Sequence, residues 1–600
     1  MFTTTHTLGG AAAADATPSG VTLTRRSFLA GAAALAGALA LAPAARALAA
    51  DGEAGSSAAD AGASTSSASS DVPPDPDADT SAGKQGGTFM FSMIEPAGIE
   101  PFSAEEVQGM EICTNLFDTL TYYDQFAKRI KCLACESYES NADATQFTFH
   151  LRKEAKFHNG QPVTSKDYKY AWERLCRADF KPSPSTLGYV LAPVKGAEEM
   201  MAGTGTELDV ECPDDYTFVV NLKSAFADLP YITTNYCTSA VPAGCTDTEE
   251  DFQKFALAPV GNGPFKMDGE WVEGQYIMLT RNDDYWGDKP LIDGVTFQLF
   301  KDNQAAWTEF SAGTMDWAEM PTGQYQASLS QWGAGGLDGN LANPGQQVFN
   351  GEETTVYYLP CNLKDEVMGN KDVRIGISYA LNRQAICDTA LEGSRSPASD
   401  MIPAVVNGHR DNAWPHCDPQ GDKAKAGEYL DKAGYPAGAD GKRGISLVLS
   451  TNTSGGNEAI FAMIQADLAQ VGIDAQIQTQ EWAAYLDAVQ NHDFQIGRMG
   501  ATMPSPLAYY TLHENFYTDV SNNYGQYSNP DFDAAVDKAV AIVDEAERTK
   551  AYQDADDIVA NDFPCIPMFY YTHGYVAGSR VHNLLSDSGG IARLNRCWLG

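Results

Sequence analysis

Six hundred residues, 44% of them hydrophobic and 10% aromatic, are too many for one small core, so two or more lobes or one discontinuous fold are expected. The 40 basic and 79 acidic side chains leave a net charge of −39, which repels phosphate backbones and anionic lipid headgroups and disfavours a nucleic-acid partner, so none is expected. The same excess favours solubility and biases the surface weakly toward cationic ligands.

The chain opens on an address. Thr24-Arg25-Arg26-Ser27-Phe28-Leu29 is a twin-arginine pattern, an Ala/Gly/Leu run extends from Phe28 to Ala42, and Ala47-Leu48-Ala49 offers small residues to a signal peptidase. The run is too short and Ala-rich for a good membrane-spanning helix, so residues 1–49 read as a cleaved twin-arginine signal peptide, with a retained anchor as the alternative. No cysteine stands at the cleavage region, so lipid attachment is not supported there. The expected location is extracytoplasmic, periplasmic or cell-surface associated. A chain exported folded cannot need all 12 cysteines in obligatory disulfides.

Residues 50–85, rich in Ala, Ser, Asp and Pro, cannot bury enough surface to offset ordering entropy and read as a disordered linker. Asp75, Asp77 and Asp79 open like a calcium loop, but Thr80 replaces the turn glycine and Gly86 the bidentate acid. Order is expected from Gly86-Gly87-Thr88-Phe89. Cys132-Leu133-Ala134-Cys135 has redox or zinc spacing without a second pair, so a structural or incidental role is preferred.

Phe147, Phe149 and Leu151 alternate, as do Phe218, Val220 and Leu222, predicting half-buried strands. Thr164 and Asp167 form a capping box before a helix that buries Tyr168, Ala171, Trp172 and Leu175. Val373, Ile377, Leu381 and Ile386 predict a second buried helical face. Leu430 and Ala433 close a helix that stops at Gly434-Tyr435-Pro436. Phe532, Val536, Ala539 and Val543 predict a late helix. The overall reading is α/β with several non-sequential segments.

The usual signs of enzyme chemistry are missing. The nine histidines, among them His150, His158 and His492, have no metal-ligand spacing, and no HExxH, Walker loop or serine elbow appears. Gly261-Asn262-Gly263-Pro264 lacks the third glycine of a dinucleotide loop and reads as a turn entering a strand.

One stretch is specific: TFHLRKEAKFHNGQPVTSKDYKYAWERL, residues 148–175. It closely resembles the signature of the family 5 extracellular solute-binding proteins, the oligopeptide- and dipeptide-binding components of ABC importers. Other matching segments follow in the family's order. They are Leu116-Phe117-Asp118-Thr119-Leu120, Cys135-Glu136-Ser137-Tyr138-Glu139, Gly263-Pro264-Phe265-Lys266 and Arg281-Asn282-Asp283-Asp284-Tyr285-Trp286. Val373-Arg374 then leads to Ala380-Leu381-Asn382-Arg383, before Ala433-Gly434-Tyr435-Pro436, Gln480-Glu481-Trp482 and Pro564-Cys565-Ile566-Pro567.

The resemblance implies a two-lobed periplasmic-binding-protein type II fold, a Venus flytrap, with an extra inserted domain. Domain I would comprise 86–123, 241–357 and 568–600, domain II the insertion 124–240, and domain III 358–567. Such a receptor captures a peptide or peptide-like ligand by lobe closure and delivers it to a membrane complex of ABC permease and ATPase. It would be a monomer with no cofactor and no metal, and not an enzyme.

The resemblance also places a pocket. Trp482 matches an aromatic pocket position, and Arg498, sixteen residues later, matches an arginine that forks onto a ligand carboxylate. Asn457 falls at a polar contact, Tyr357 and Tyr358 at the first hinge, Tyr571 near the second, and Glu105 and Glu106 where domain I approaches the ligand. His158 reads as a turn residue. Peptide binders often carry an Asp soon after this arginine, for the α-ammonium. Here Arg498-Met499-Gly500-Ala501-Thr502-Met503-Pro504-Ser505-Pro506 is shorter and has no acid; Thr502 or Ser505 offers a hydrogen bond but no charge. Either another acid serves, or the ligand is a non-peptide or amine-blocked solute. An extracellular hydrolase and a non-transport sensor or adhesin are further alternatives.

Overall fold

The computed structural model describes residues 83–453 and 456–600, all within one compact unit, 56–600. The signal peptide, residues 50–82 of the linker and the Asp75–Asp79 segment lie outside the described residues.

Order begins where the glycines end. Thr88–Ile94 buries Phe89 and Phe91 and runs parallel to Gly294–Phe300 on one side and to Trp317 on the other. It is the centre of a seven-stranded sheet, flanked outward by Trp317–Glu319, Tyr575–Ala577 and Val348–Phe349, and by Gly294–Phe300, Tyr276–Arg281 and Phe265–Met267. A four-stranded antiparallel sheet carries the alternating strands Gln146–Leu151 and Thr217–Asn221 at its centre. The helix Ser165–Cys176 covers it, with Tyr168 and Trp172 set 5.7 and 5.1 Å from the ring of Phe218. Its start is capped as the spacing predicts: the Asp167 carboxylate accepts from the Thr164 N–H at 2.8 Å and hydroxyl at 2.6 Å. Both sheets share one apolar core.

A second apolar core is built mainly from Val356 to Tyr570, with Ile130 and Tyr231 packed into it from earlier in the chain. It surrounds a four-stranded sheet in the order Ser396–Pro397, Cys565–Thr572, Glu352–Pro360, Met499–Thr502, and a parallel pair, Ser446–Asn452 with Asp474–Gln480. Two antiparallel neighbours, Glu352–Pro360 and Cys565–Thr572, carry the chain from one core to the other and back. The result is the two-lobed α/β architecture expected from the sequence. A buried bridge also joins the cores: Asp228 accepts from Arg548 Nε at 2.6 Å and from the Tyr552 hydroxyl at 2.6 Å.

Two sequence expectations need correction. Val373, Ile377, Leu381 and Ile386 are all buried, but on two helices, Lys371–Ala380 and Arg383–Thr389. The chain breaks at Leu381-Asn382 because Asn382 caps the second helix, its side chain accepting from the Ala385 N–H at 2.8 Å. The late helix ends at Val540, so Val543 lies past it and is exposed.

The segments that carried the resemblance are scaffold. His158 Nδ1 accepts from the Gly261 N–H at 3.1 Å and Nε2 lies 3.2 Å from the Gly263 carbonyl, which fixes the hairpin turn on the Gly261–Pro264 turn. Burial pulls this imidazole down to about 4, so it is neutral, a turn residue as read. Asp118 accepts from Trp286 Nε1 at 2.8 Å and from the Tyr285 hydroxyl at 3.1 Å. Cys132 and Cys135 are buried free thiols, and Cys135 Sγ donates to the Leu120 carbonyl at 3.1 Å.

Candidate ligand-binding site

Arg498 is held from behind before anything faces it. Tyr485, buried on the helix Trp482–Gln490, accepts from the Arg498 N–H and donates to the Arg498 carbonyl, both at 2.7 Å. The guanidinium turns to the end of the strand Ser446–Asn452. Its Nε donates to Asn452 Oδ1 at 2.7 Å and its Nη2 donates to the same oxygen. Asn457 Nδ2 also donates to that oxygen at 3.0 Å, and the Tyr357 hydroxyl donates to Asn457 Oδ1 at 3.0 Å. This chain of neutral partners orients the cation without neutralising it.

Aromatic rings frame it. The guanidinium carbon lies 5.2 Å from the Trp482 ring centre and 5.9 Å from that of Tyr357. Trp482 is 44% exposed, one of few large apolar side chains left in water. Among the described residues no carboxylate forms an ion pair with Arg498. An oriented, unneutralised fork beside an exposed indole is suited to a planar anion carried on an apolar body.

The frame continues along the strands that link the cores. Tyr571 lies 6.2 Å from Tyr357 ring to ring, and Arg395 sits 4.5 Å over the Tyr571 ring while donating to the Thr572 carbonyl at 3.2 Å. Burial lowers the Arg395 pKa from its ordinary value. Arg395 also lines a cavity of about 580 Å³ with Lys128, Asp338, Glu352 and Val405, a size that suits a small organic ligand. Beside it the buried His573 meets Glu353 at 3.2 Å.

Five of the residues expected from sequence come together here: Trp482, Arg498, Asn457, Tyr357 and Tyr571. Thr502 ends the neighbouring strand, exposed, and accepts from the Thr355 hydroxyl at 3.2 Å. Tyr358 is turned away. Neighbours on a strand point to opposite faces, so with Tyr357 inward toward Asn457, Tyr358 enters the core and donates to Asn515 at 3.3 Å. Glu105 and Glu106 are occupied elsewhere. Glu105 accepts from the Thr186 hydroxyl at 2.5 Å, and Glu106 accepts from the Ala97 N–H at 2.7 Å with its carboxyl raised by desolvation. Sequence reading missed Asn452, Tyr485 and Arg395; an asparagine closing an apolar strand is the one faint signal for Asn452.

Comparison with known proteins identifies the family and the fold. The family described as "Bacterial extracellular solute-binding proteins, family 5 Middle" matches residues 129–524. The oligopeptide-binding protein OppA of Bacillus subtilis is 26% identical over 505 residues, 83% of this chain and 89% of that protein. The periplasmic oligopeptide-binding protein OppA of Haemophilus influenzae is 28% identical over 489 residues, covering 80% of this chain and 87% of its own. Among solved structures, HbpA2 from Haemophilus parasuis superposes with a TM-score of 0.74 at 20% identity over 86% of this chain and 100% of that one. DppA from Helicobacter pylori, in complex with the peptide STSA, gives 0.63 at 23% identity over 86% and 98%. The chain belongs to the family 5 bacterial extracellular solute-binding proteins.

Proposed function

We propose that the chain is the extracytoplasmic receptor of an ABC importer, and that it captures peptides between its lobes and passes them to a membrane permease and ATPase complex. The observation that carries this is Arg498: a cation oriented by Asn452, framed by Trp482 and Tyr357, and given no carboxylate among the described residues. A peptide supplies what the site lacks. Its carboxylate takes the guanidinium fork, its side chains meet the rings, and its main chain bonds without demanding a sequence. The relatives named above as oligopeptide-binding support the choice of ligand.

In this reading domain I comprises 86–123, 241–357 and 568–600, domain II 124–240 and domain III 358–567, with Tyr357 and Tyr571 at the two crossings. The two apolar cores support the separation of domain III from the rest, although Ile130 and Tyr231 of domain II pack into the domain III core. The receptor does no covalent chemistry on its guest, and residues 1–49 export it by the twin-arginine route. Mixed di- to pentapeptides are expected to raise the melting temperature of the purified protein in a concentration-dependent way. No shift with any member would remove the peptide reading. The acid-free segment after Arg498 favours one second reading, an amine-blocked peptide or other carboxylate-bearing solute, which N-acetylated peptides in the same assay would detect.

A further inference from the structure

We infer that the guest's ammonium group is received at the carboxyl edge of the seven-stranded sheet by Glu319 and Glu111, while Arg498 in the other core receives its carboxylate; this rests on the peptide reading above. Because Thr88–Ile94, Gly294–Phe300 and Trp317–Glu319 run parallel, their carboxyl ends lie at one edge, and Tyr575 enters the sheet there opposite Glu319. Ligands of open α/β sheets bind outside that edge. It also adjoins the second crossing, since His573 stands two residues before Tyr575.

A cavity of about 30 Å³ sits at this edge, lined by Ser92, Gln108, Glu111, Asn303, Glu319 and Tyr575 among others. That is room for one water-sized group, the size of an ammonium head. Glu111 is 3% exposed, and its Oε2 accepts from the Ala592 N–H at 3.0 Å. Its Oε1 has no hydrogen-bond partner among the described residues. A buried acceptor left unmade is costly, and an ammonium brings both donors and charge. Glu319 is solvent-accessible at its strand end yet enclosed enough for desolvation to raise its carboxyl.

This corner is rich in carboxyls, and burial holds Glu111 well above its ordinary value, a desolvation cost that an enclosed cation would relieve. Glu319 and Glu111 line the cavity with Tyr575, and Glu353 and Asp587 lie near enough to act on its hydroxyl as well. Asp587 is offset by Arg593 at 2.6 Å and Glu353 lies 3.2 Å from His573 Nδ1, but no cation forms an ion pair with Glu111 or Glu319 among the described residues. Glu352, in the larger cavity, is a weaker candidate. Its Oε1 accepts from the Ser396 hydroxyl at 2.6 Å and its Oε2 is as unpartnered as Glu111 Oε1, but Lys128 and Arg395 line that cavity with it and repel a second cation.

The test compares trialanine, N-acetyl-trialanine and trialanine amide by calorimetry on the wild type, Glu319→Gln and Glu111→Gln. Wild type is expected to bind the free amine at least ten-fold tighter than the acetylated form. Either variant should shrink that gap to about two-fold or less, while the preference for acid over amide, set by Arg498, persists. An unchanged gap in both variants overturns the inference and leaves the peptide reading standing. Binding of no peptide at all overturns the peptide reading instead. The carboxylates are then judged alone: methylammonium chloride should raise the melting temperature more than tetramethylammonium chloride in wild type and not in Glu319→Gln, and equal shifts sink the site. A crystal structure with peptide bound in which the cavity keeps a structural water only would also overturn it.

Discussion

Arg498 is useful because its neighbours are neutral. Replacing Asn452 by an acid would satisfy the guanidinium internally and close the site to anions. Arg498→Ala should weaken binding of acid-ended peptides by a hundred-fold or more, about 3 kcal/mol, and bring acid and amide peptides to parity in calorimetry. Asn452→Ala should cost less, about ten-fold, since the charge stays and only its orientation is lost. Tyr358→Phe should leave affinity unchanged, because its hydroxyl serves Asn515 in the core. Equal losses in Tyr358→Phe and Asn452→Ala would contradict this assignment. Much of the cluster was legible through the family resemblance, which matches Trp482 and Arg498 to pocket positions at their separation in this chain. Asn452 was not. It reaches Arg498 across a lobe's interior, through strand adjacency that no local spacing encodes. The choice between Tyr357 and Tyr358 was open to the alternation rule, which allows only one of two neighbours on a strand to face a given side.

At the scale of elements, the motifs that identified the family turn out to hold loops in place. Asp118 is the clearest case: a fully buried carboxyl between Trp286 and Tyr285, raised to about 7 by desolvation that outweighs both donors. Its folded pKa lies above its ordinary value of 3.8, so the folded state holds the proton more tightly. The stability it contributes is full below about pH 4 and is lost as pH rises through about 7, an effect on the order of 4 kcal/mol. Chemical denaturation of the wild type and Asp118→Asn from pH 4 to 8 checks this. The wild-type advantage should shrink across that window, and parallel profiles would contradict it. Helix caps and half-buried strands were readable because their signals are local, as at Thr164-Asp167 and Phe147-Phe149-Leu151. The break at Leu381-Asn382 was hidden by a run of apolar residues that spans two helices in register.

At the scale of the molecule, two cores share two strands and one buried ion pair. Removing one partner strands the other charge, so Asp228→Ala should lower the unfolding free energy by about 3–5 kcal/mol, whereas the double replacement Asp228→Leu with Arg548→Met should recover much of it. Additive losses in a denaturant cycle would show that the pair is not a unit. The central claim concerns what lies between the cores: an amphoteric guest held by separate charges and chemically untouched. The most direct measurement is mass spectrometry of whatever the purified protein releases on denaturation, after purification from a host extract containing peptides. The account predicts intact short peptides with free carboxyl termini, lost from the Arg498→Ala protein. Recovery of a non-peptide solute, or of peptides equally retained by that variant, would contradict it.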